Sequence, residues 1–434
     1  MSTGRAPAAV ALVLVGDELL LGHVLDGNAA WLGRRLDDAG LHVVASAHAS
    51  DDPEAIALAV RRALADAPAV LVTGGLGPTS DDVTREALAL VAGAPLVRDA
   101  AVEEVIRAWY ASRGVPVVPA ALRMAELPEG ARTLGNGTGS APGVTVEVGD
   151  GVVHAVPGVP AEMRAMVEQL VLPDLLRRAG ILPAVATRSI LVAGLGESAV
   201  SDLLQPLEAE LGDARIAYLA APAEITVRLR VSAGPGQQDA ADRRVHDLAA
   251  LARGLLGAAV VSDDGTGLPA AVLALLVAGS STVATAESLT GGLVAGTLTD
   301  VAGSSAALVG GVVTYATWTK ADVLGVDPDL LARVGPVDPA TAAAMAEGVR
   351  SRFRSTYGVS TTGVAGPGKA EGNPAGVVHL AVAGPRGVRV SSPRLRGSRG
   401  TVRRATVVHA LDLLRRAVAG LGPAPGESRA REPG

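Results

Sequence analysis

Unbroken apolar runs alternate with amphipathic stretches along much of this chain. Residues 8–15 read AAVALVLV, a run expected of a strand buried on both faces. Residues 28–39 place their apolar positions at helical spacing, with Asn28 set to cap the start. Strand-like 41–47, helical 53–66 and strand-like 69–73 follow. Such alternation predicts a mostly parallel sheet covered by helices, with ligands at the carboxyl ends of its strands. Between Pro173 and Pro183 the pattern changes. Residues 187–193, 216–219 and 224–232 read as strands, and 197–211 and 240–255 as helices, which makes a small α+β module. The α/β pattern then returns, with a buried helix at 268–279 and strands at 282–285, 310–315 and 358–361. The expected class is α/β, with domains at 1–174, 175–262 (the connector) and 263–421. Residues 422–434, rich in Pro, Gly and charge, read as a disordered tail.

Composition narrows the function. At 434 residues, about three domains are expected, in line with the pattern. Aromatic residues are only 2%, which argues against recognising nucleic acid by stacking bases. A net charge of -6 gives no general pull toward nucleic acid or an anionic membrane. Cysteine is absent, which removes disulfides and a thiol nucleophile and suits a reducing cytoplasm. The uncharged spans 268–286 and 301–319 are rich in Gly, Ser and Thr, and each reads as two short buried elements. A cytoplasmic protein acting on small molecules is the expectation, without nucleic acid or membrane partners.

Chemistry concentrates at residues 285–320. Of 38 basic residues only Lys320 and Lys369 are lysine. A desolvated lysine can lose its proton and act as a base, which arginine cannot. A hydroxyl beside a neutral lysine is a route to amide or ester hydrolysis. Ser305 is the hydroxyl expected to meet Lys320, with Tyr315 relaying a proton or orienting the serine. Backbone groups at 303–305 would hold the oxyanion. Ser288, Thr290, Gly291 and Gly292 open a helix and form an expected anion cradle. A second Gly-rich loop containing Gly363 and Gly366 completes the site.

The first domain has its own loop, Thr73-Gly74-Gly75-Leu76-Gly77-Pro78-Thr79-Ser80-Asp81-Asp82. Gly74 and Gly75 let backbone N–H groups approach a phosphate. Asp81 and Asp82 could hold a divalent metal, with Asp17 and Glu18 adding ligands, or cap the helix that begins near Val83; two adjacent Asp after a glycine-rich turn favour the metal. Asn28 sits close to Glu18 in sequence, and the loop 138–143, beginning at Thr138, offers further donors.

These motifs resemble a known family. VGDELLLG, GGLGPTSDD and TGSAPG are similar to the N-terminal half of the CinA family (competence/damage-inducible protein A), itself similar in fold to three-layer molybdopterin-binding domains of the MoaB/MogA kind. TAESLTGG, DVAGSS, GGVVTYATWTK and TTGVAGPG resemble the CinA C-terminal domain and its free-standing form, PncC. The resemblance implies a KH-type connector at 175–262, which reads as a spacer that helps a homodimer form. It implies that the last domain hydrolyses the carboxamide of nicotinamide mononucleotide, with Ser305 as nucleophile, Lys320 as base and Tyr315 as helper. No cofactor is implied there. Arg399, in Gly397-Ser398-Arg399 where relatives carry Gly-Asp-Arg, would take the phosphate. For the first domain it implies a metal-dependent ADP-ribose pyrophosphatase, with Glu18, Asn28, Asp81 and Asp82 around the pyrophosphate. Two other readings stay open: a non-catalytic nucleotide-binding scaffold in competence or repair, and a molybdopterin-binding first domain.

Overall fold

The structure is a computed structural model that describes residues 8–180, 182–422 and 427–429. These fall into two compact units, one covering the first 185 residues with 232–238, the other the remainder.

In the first unit, β1 (Ala9–Val15), β2 (His42–Ala49) and β3 (Ala69–Thr73) come first. A two-stranded ribbon, β4 (Leu96–Arg98) and β5 (Glu126–Pro128), stands apart from the main sheet. Then come β6 (Arg132–Leu134), β7 (Gly143–Val148) and β8 (Gly151–Val156). The main sheet runs β2-β1-β3-β8-β7-β6. Its first four strands are parallel, β7 is antiparallel to β8, and β6 is antiparallel to β7.

Every residue of β1 is buried because the strand feeds two cores. Ala9, Ala11, Val13 and Val15 pack with Ile56, Val60 and Leu88 on one face. Val10, Leu12 and Leu14 pack with Leu32, Leu36 and Leu175 on the other. The continuous apolar run is thus a three-layer signature. One capping expectation changes. Asp26, whose carboxylate accepts from Ala29 N at 2.8 Å, caps the helix Gly27–Asp38, and Asn28 lies inside that helix.

The second unit contains two sheets. The connector sheet runs β10 (Arg215–Ala221), β11 (Glu224–Ala233), β9 (Ala184–Ala193), β12 (Val260–Ser262), with the helices Glu197–Glu208 and Gln238–Leu256. It is tied to the last domain by a buried polar cluster on the helix Arg399–Ala419. There Asp412 pairs with Arg415 and Arg416, and Arg415 donates to the carbonyls of Ala258 and Val260 at 2.7 and 2.9 Å. A fully satisfied buried network of this kind rigidifies the junction and fixes its orientation.

The last sheet comprises β13 (Val283–Glu287), β14 (Leu308–Val313), β15 (Tyr357–Gly363), β16 (Val378–Gly384), β17 (Gly387–Ser391) and β18 (Glu427–Arg429). Its order is β14-β13-β15-β16-β17-β18. β13 is parallel to both neighbours, so β14, β13 and β15 present their carboxyl ends along one edge. Residues 427–429 pair with β17, which corrects the expectation of a wholly disordered tail. The rest of that tail from 423 on lies outside the described residues. Among the described residues no helix is long and apolar enough to cross a membrane.

Candidate active site

At the shared carboxyl edge of β14, β13 and β15 lies a cavity of about 340 Å³. Ser288, Tyr315, Lys320, the loop 363–368, Lys369, Glu371 and Arg399 all line it. Lys320 enters from the helix Thr317–Leu324 and is only 1% exposed. Its Nζ donates to the Thr314 carbonyl at 2.7 Å and lies 3.5 Å from Ser288 Oγ. Burial pushes the amine down from 10.5 to about 8, against a smaller opposing pull from the Glu371 carboxylate. A neutral amine has two N–H groups and one lone pair. With an N–H spent on Thr314, the lone pair is available to the Ser288 hydroxyl.

The serine expected beside Lys320 is elsewhere. Ser305 is exposed on the short turn Ser304–Ala306, at the amino end of β14. The six residues of β14 then carry the chain about 16 Å along the sheet before it reaches Thr314. Ser305 and Lys320 therefore sit at opposite edges, and the expected pairing is not made within the chain. The backbone at 303–305 shares that distant edge, so it supplies no oxyanion donor to Lys320. Ser288 is the hydroxyl that the fold brings to the lysine.

The expected anion cradle is also filled from within. Glu287, buried at the end of β13, accepts from Gly292 N at 2.9 Å, Val294 N at 3.0 Å and Ala295 N at 2.8 Å. Those N–H groups complete a helix cap and are not open to a phosphate. Gly291 N donates to the Ser288 carbonyl, closing the turn. Thr290 is fully buried, with its hydroxyl 2.7 Å from that of Thr361. Thr290, Gly291 and Gly292 therefore shape the loop that presents Ser288. Gly363 and Gly366 do line the cavity. Gly363 has φ +154°, and a Cβ there would meet the Val377 carbonyl at 2.6 Å, so this strand end requires glycine.

A second cavity, of about 410 Å³, lies in the first unit. Glu18, Gly74, Gly75, Asp81 and Asp82 line it, as does Asp51, which sequence reasoning missed. Asp51 exchanges backbone-to-carboxylate bonds with Asp17. Burial, with repulsion from Asp17, Glu18 and Asp81 added, holds its carboxyl above the usual carboxylate range. Among the described residues no three carboxylate or imidazole groups are placed to hold a metal ion together. Asp82 is turned to the Thr79 amide and hydroxyl, at 2.8 and 2.5 Å. The expected metal set of Glu18, Asp81 and Asp82 thus shares a cavity without forming a cage. Magnesium, though, is commonly held by one or two carboxylates together with a ligand's phosphates.

Two further expectations change here. Asn28 does not line the cavity, and its amide donates to the Gly158 carbonyl at 2.7 Å, steadying a turn that does. Thr138 bonds back to Asn136, and Ser140 is the hydroxyl of that loop facing the cavity. Gly74 is glycine because a Cβ would meet the Val15 carbonyl at 2.4 Å. Arg85, 2% exposed, donates to the carbonyls of Leu76 and Gly77 and so holds the loop from below.

Comparison with known proteins assigns all three parts. Residues 11–177 match the model of a probable molybdopterin binding domain. Residues 187–261 match the damage-inducible protein CinA KH domain, and 266–418 the CinA C-terminal domain. A CinA-like protein of Frankia casuarinae is 49% identical over 420 residues, covering 94% of this chain and 96% of its own. Another, of Anaeromyxobacter dehalogenans, is 40% identical over 412 residues, covering 94% and 99%. This chain belongs to the CinA family. Among solved structures, the protein CinA from Thermoplasma acidophilum is similar at 35% identity, covering 39% of this chain and 98% of that one, with a TM-score of 0.37. The competence/damage inducible protein CihA from Agrobacterium tumefaciens is 41% identical, covering 35% and 93%, with a TM-score of 0.34.

In this CinA chain Ser398 of Gly397-Ser398-Arg399 stands at the start of the helix that carries Arg399. Ser398 caps the helix Arg399–Ala419, accepting from Thr401 N at 3.2 Å as an aspartate there would. Arg399 donates to the Gly366 carbonyl at 2.8 Å and the Tyr315 hydroxyl at 3.1 Å. One turn on, Arg403 donates to the carbonyls of Leu289 and Thr290. The first turns of one helix thus hold the cavity's two loops and its tyrosine. The i, i+4 spacing of these arginines was the available signal for Arg403.

Proposed function

We propose that the C-terminal cavity hydrolyses the carboxamide of nicotinamide mononucleotide, giving nicotinate mononucleotide and ammonia. Lys320 carries this reading: a buried amine with a pKa of about 8, within reach of a serine hydroxyl in an open cavity. Ser288 Oγ attacks the carboxamide carbon and its proton passes to Lys320 Nζ. The tetrahedral intermediate collapses, and Lys320 returns that proton to the departing ammonia. Water then attacks the resulting ester with Lys320 again as base, which frees the acid and restores Ser288. A base positioned in this way contributes roughly 10²–10⁴-fold. In the loop 363–368, Val364 N is spent on the Val377 carbonyl and Pro367 has no N–H. That leaves Ala365, Gly366 and Gly368 as main-chain donors for the oxyanion, each worth about 3 kcal/mol when well aimed. Tyr315, held by Arg399, closes the rim and orients the nucleotide. The test is incubation of purified protein with the mononucleotide. Ammonia and nicotinate mononucleotide in equal amounts are expected, and the absence of both products would refute the assignment.

For the first unit, the crowding of Asp17, Glu18, Asp51 and Asp81 supports a second activity, binding of a pyrophosphate nucleotide that brings a divalent cation with it. Gly74, Gly75 and Ser140 would face the phosphates and Glu18 and Asp81 the cation. ADP-ribose is the substrate this reading selects. Calorimetry should show magnesium binding only when ADP-ribose is present. Equal magnesium affinity without the nucleotide would contradict it.

A further inference from the structure

The chain has only two lysines among its 38 basic residues, and both line the same cavity. Lys320 is buried and accounted for as the base. Lys369 is exposed, two residues before Glu371, on the loop that continues from 363–368. Among the described residues Lys369 makes no hydrogen bond or ion pair. The neighbouring arginine is less free, because Arg399 spends both amino groups on Gly366 and Tyr315. Glu371 is held at φ +51°, a left-handed conformation that non-glycine residues seldom take. Its charge is felt by the Lys320 amine, so it stands toward the reacting end of the cavity. The loop therefore offers one negative and one positive charge, with the negative one nearer the chemistry.

A pyridinium mononucleotide has the complementary arrangement. Its ring nitrogen is cationic and lies beside the carboxamide, and its phosphate is anionic and lies beyond the ribose. We propose that this loop makes the cavity selective for a zwitterionic pyridinium mononucleotide, with Glu371 facing the cationic ring and Lys369 pairing with the phosphate. Arg399 then acts as a positioning residue for the loop. The inference deepens the proposed amidase activity and rests on it.

The test compares Lys369→Met and Glu371→Gln with the wild type in ammonia release, and measures inhibition by two probes. Nicotinamide riboside lacks the phosphate, and dihydronicotinamide mononucleotide keeps the phosphate on an uncharged ring. Lys369→Met should raise KM for the mononucleotide about tenfold, the scale of one partly solvated charged hydrogen bond, with kcat kept. Its inhibition by the riboside should not change. Lys369→Arg should recover most of the loss. Glu371→Gln should raise KM for the mononucleotide about threefold, as a screened charge pair allows, with inhibition by the dihydro compound unchanged. An unchanged KM in both variants would overturn the proposal. So would a fall in kcat at constant KM, which would put the loop in the chemistry instead. If the wild type releases no ammonia, the amidase reading fails, and calorimetry with the mononucleotide on the same three proteins still decides whether the loop recognises it.

Discussion

Ser288→Ala is expected to lower kcat for ammonia release by at least about 10³-fold, whereas Ser305→Ala keeps activity within a factor of two or so. The contrast follows from where the fold puts each hydroxyl. Ser288 follows directly on β13 and lies 3.5 Å from Lys320 Nζ. Ser305 precedes β14 on the opposite edge of the same sheet, in solvent. Among the described residues the Ser305 side chain makes no hydrogen bond to a base. Circular dichroism spectra of both variants should match the wild type, which checks that neither change disturbs the fold. Loss of activity on Ser305→Ala with retention on Ser288→Ala would reverse the assignment.

Lys320→Met should abolish turnover and at the same time stabilise the protein at neutral pH. The folded state lowers the lysine pKa from 10.5 to about 8 because it disfavours the charged amine. Below pH 8 the residue is charged in both states, and the fold carries a full penalty of about 3 kcal/mol. Between pH 8 and 10.5 the penalty shrinks, and above 10.5 it is gone. Methionine removes the penalty but leaves the Thr314 carbonyl without its donor, a loss of about 1–2 kcal/mol. The net expectation is a gain of about 1–2 kcal/mol at pH 7 that turns into a loss above about pH 10.5. Urea unfolding of both proteins at pH 7 and at pH 10.5 measures it. A destabilised variant at pH 7 would mean that the amine is not desolvated. Such an exchange of stability for function is usual at a catalytic residue.

The layers of the fold were legible because β1 is apolar at every position and β3 at all but its last, Thr73, which only a sheet covered on both faces accommodates. Lys320 was legible because a chain that otherwise uses arginine keeps a lysine there. The partner of Lys320 was not. Ser288 follows β13 and Ser305 precedes β14, and the sequence alone does not reveal that these two strands lie side by side. Parallel pairing of β13 with β14 decides it, and that pairing joins residues about 25 apart. The fate of the helix start at Gly292 was hidden for a related reason. The carboxylate of Glu287 reaches it only when the chain turns back through Ser288 and Thr290. Asp51 escaped notice because its acidic neighbours Asp17, Glu18 and Asp81 come from two other loops, far away in sequence.

The dependence of kcat/KM for ammonia release on pH, measured from 6 to 10, bears most directly on whether a neutral amine at position 320 does the work. A tenfold rise per unit that levels off near pH 8 is the expected profile. A rate that is flat through this range, or that falls as pH rises, would contradict it.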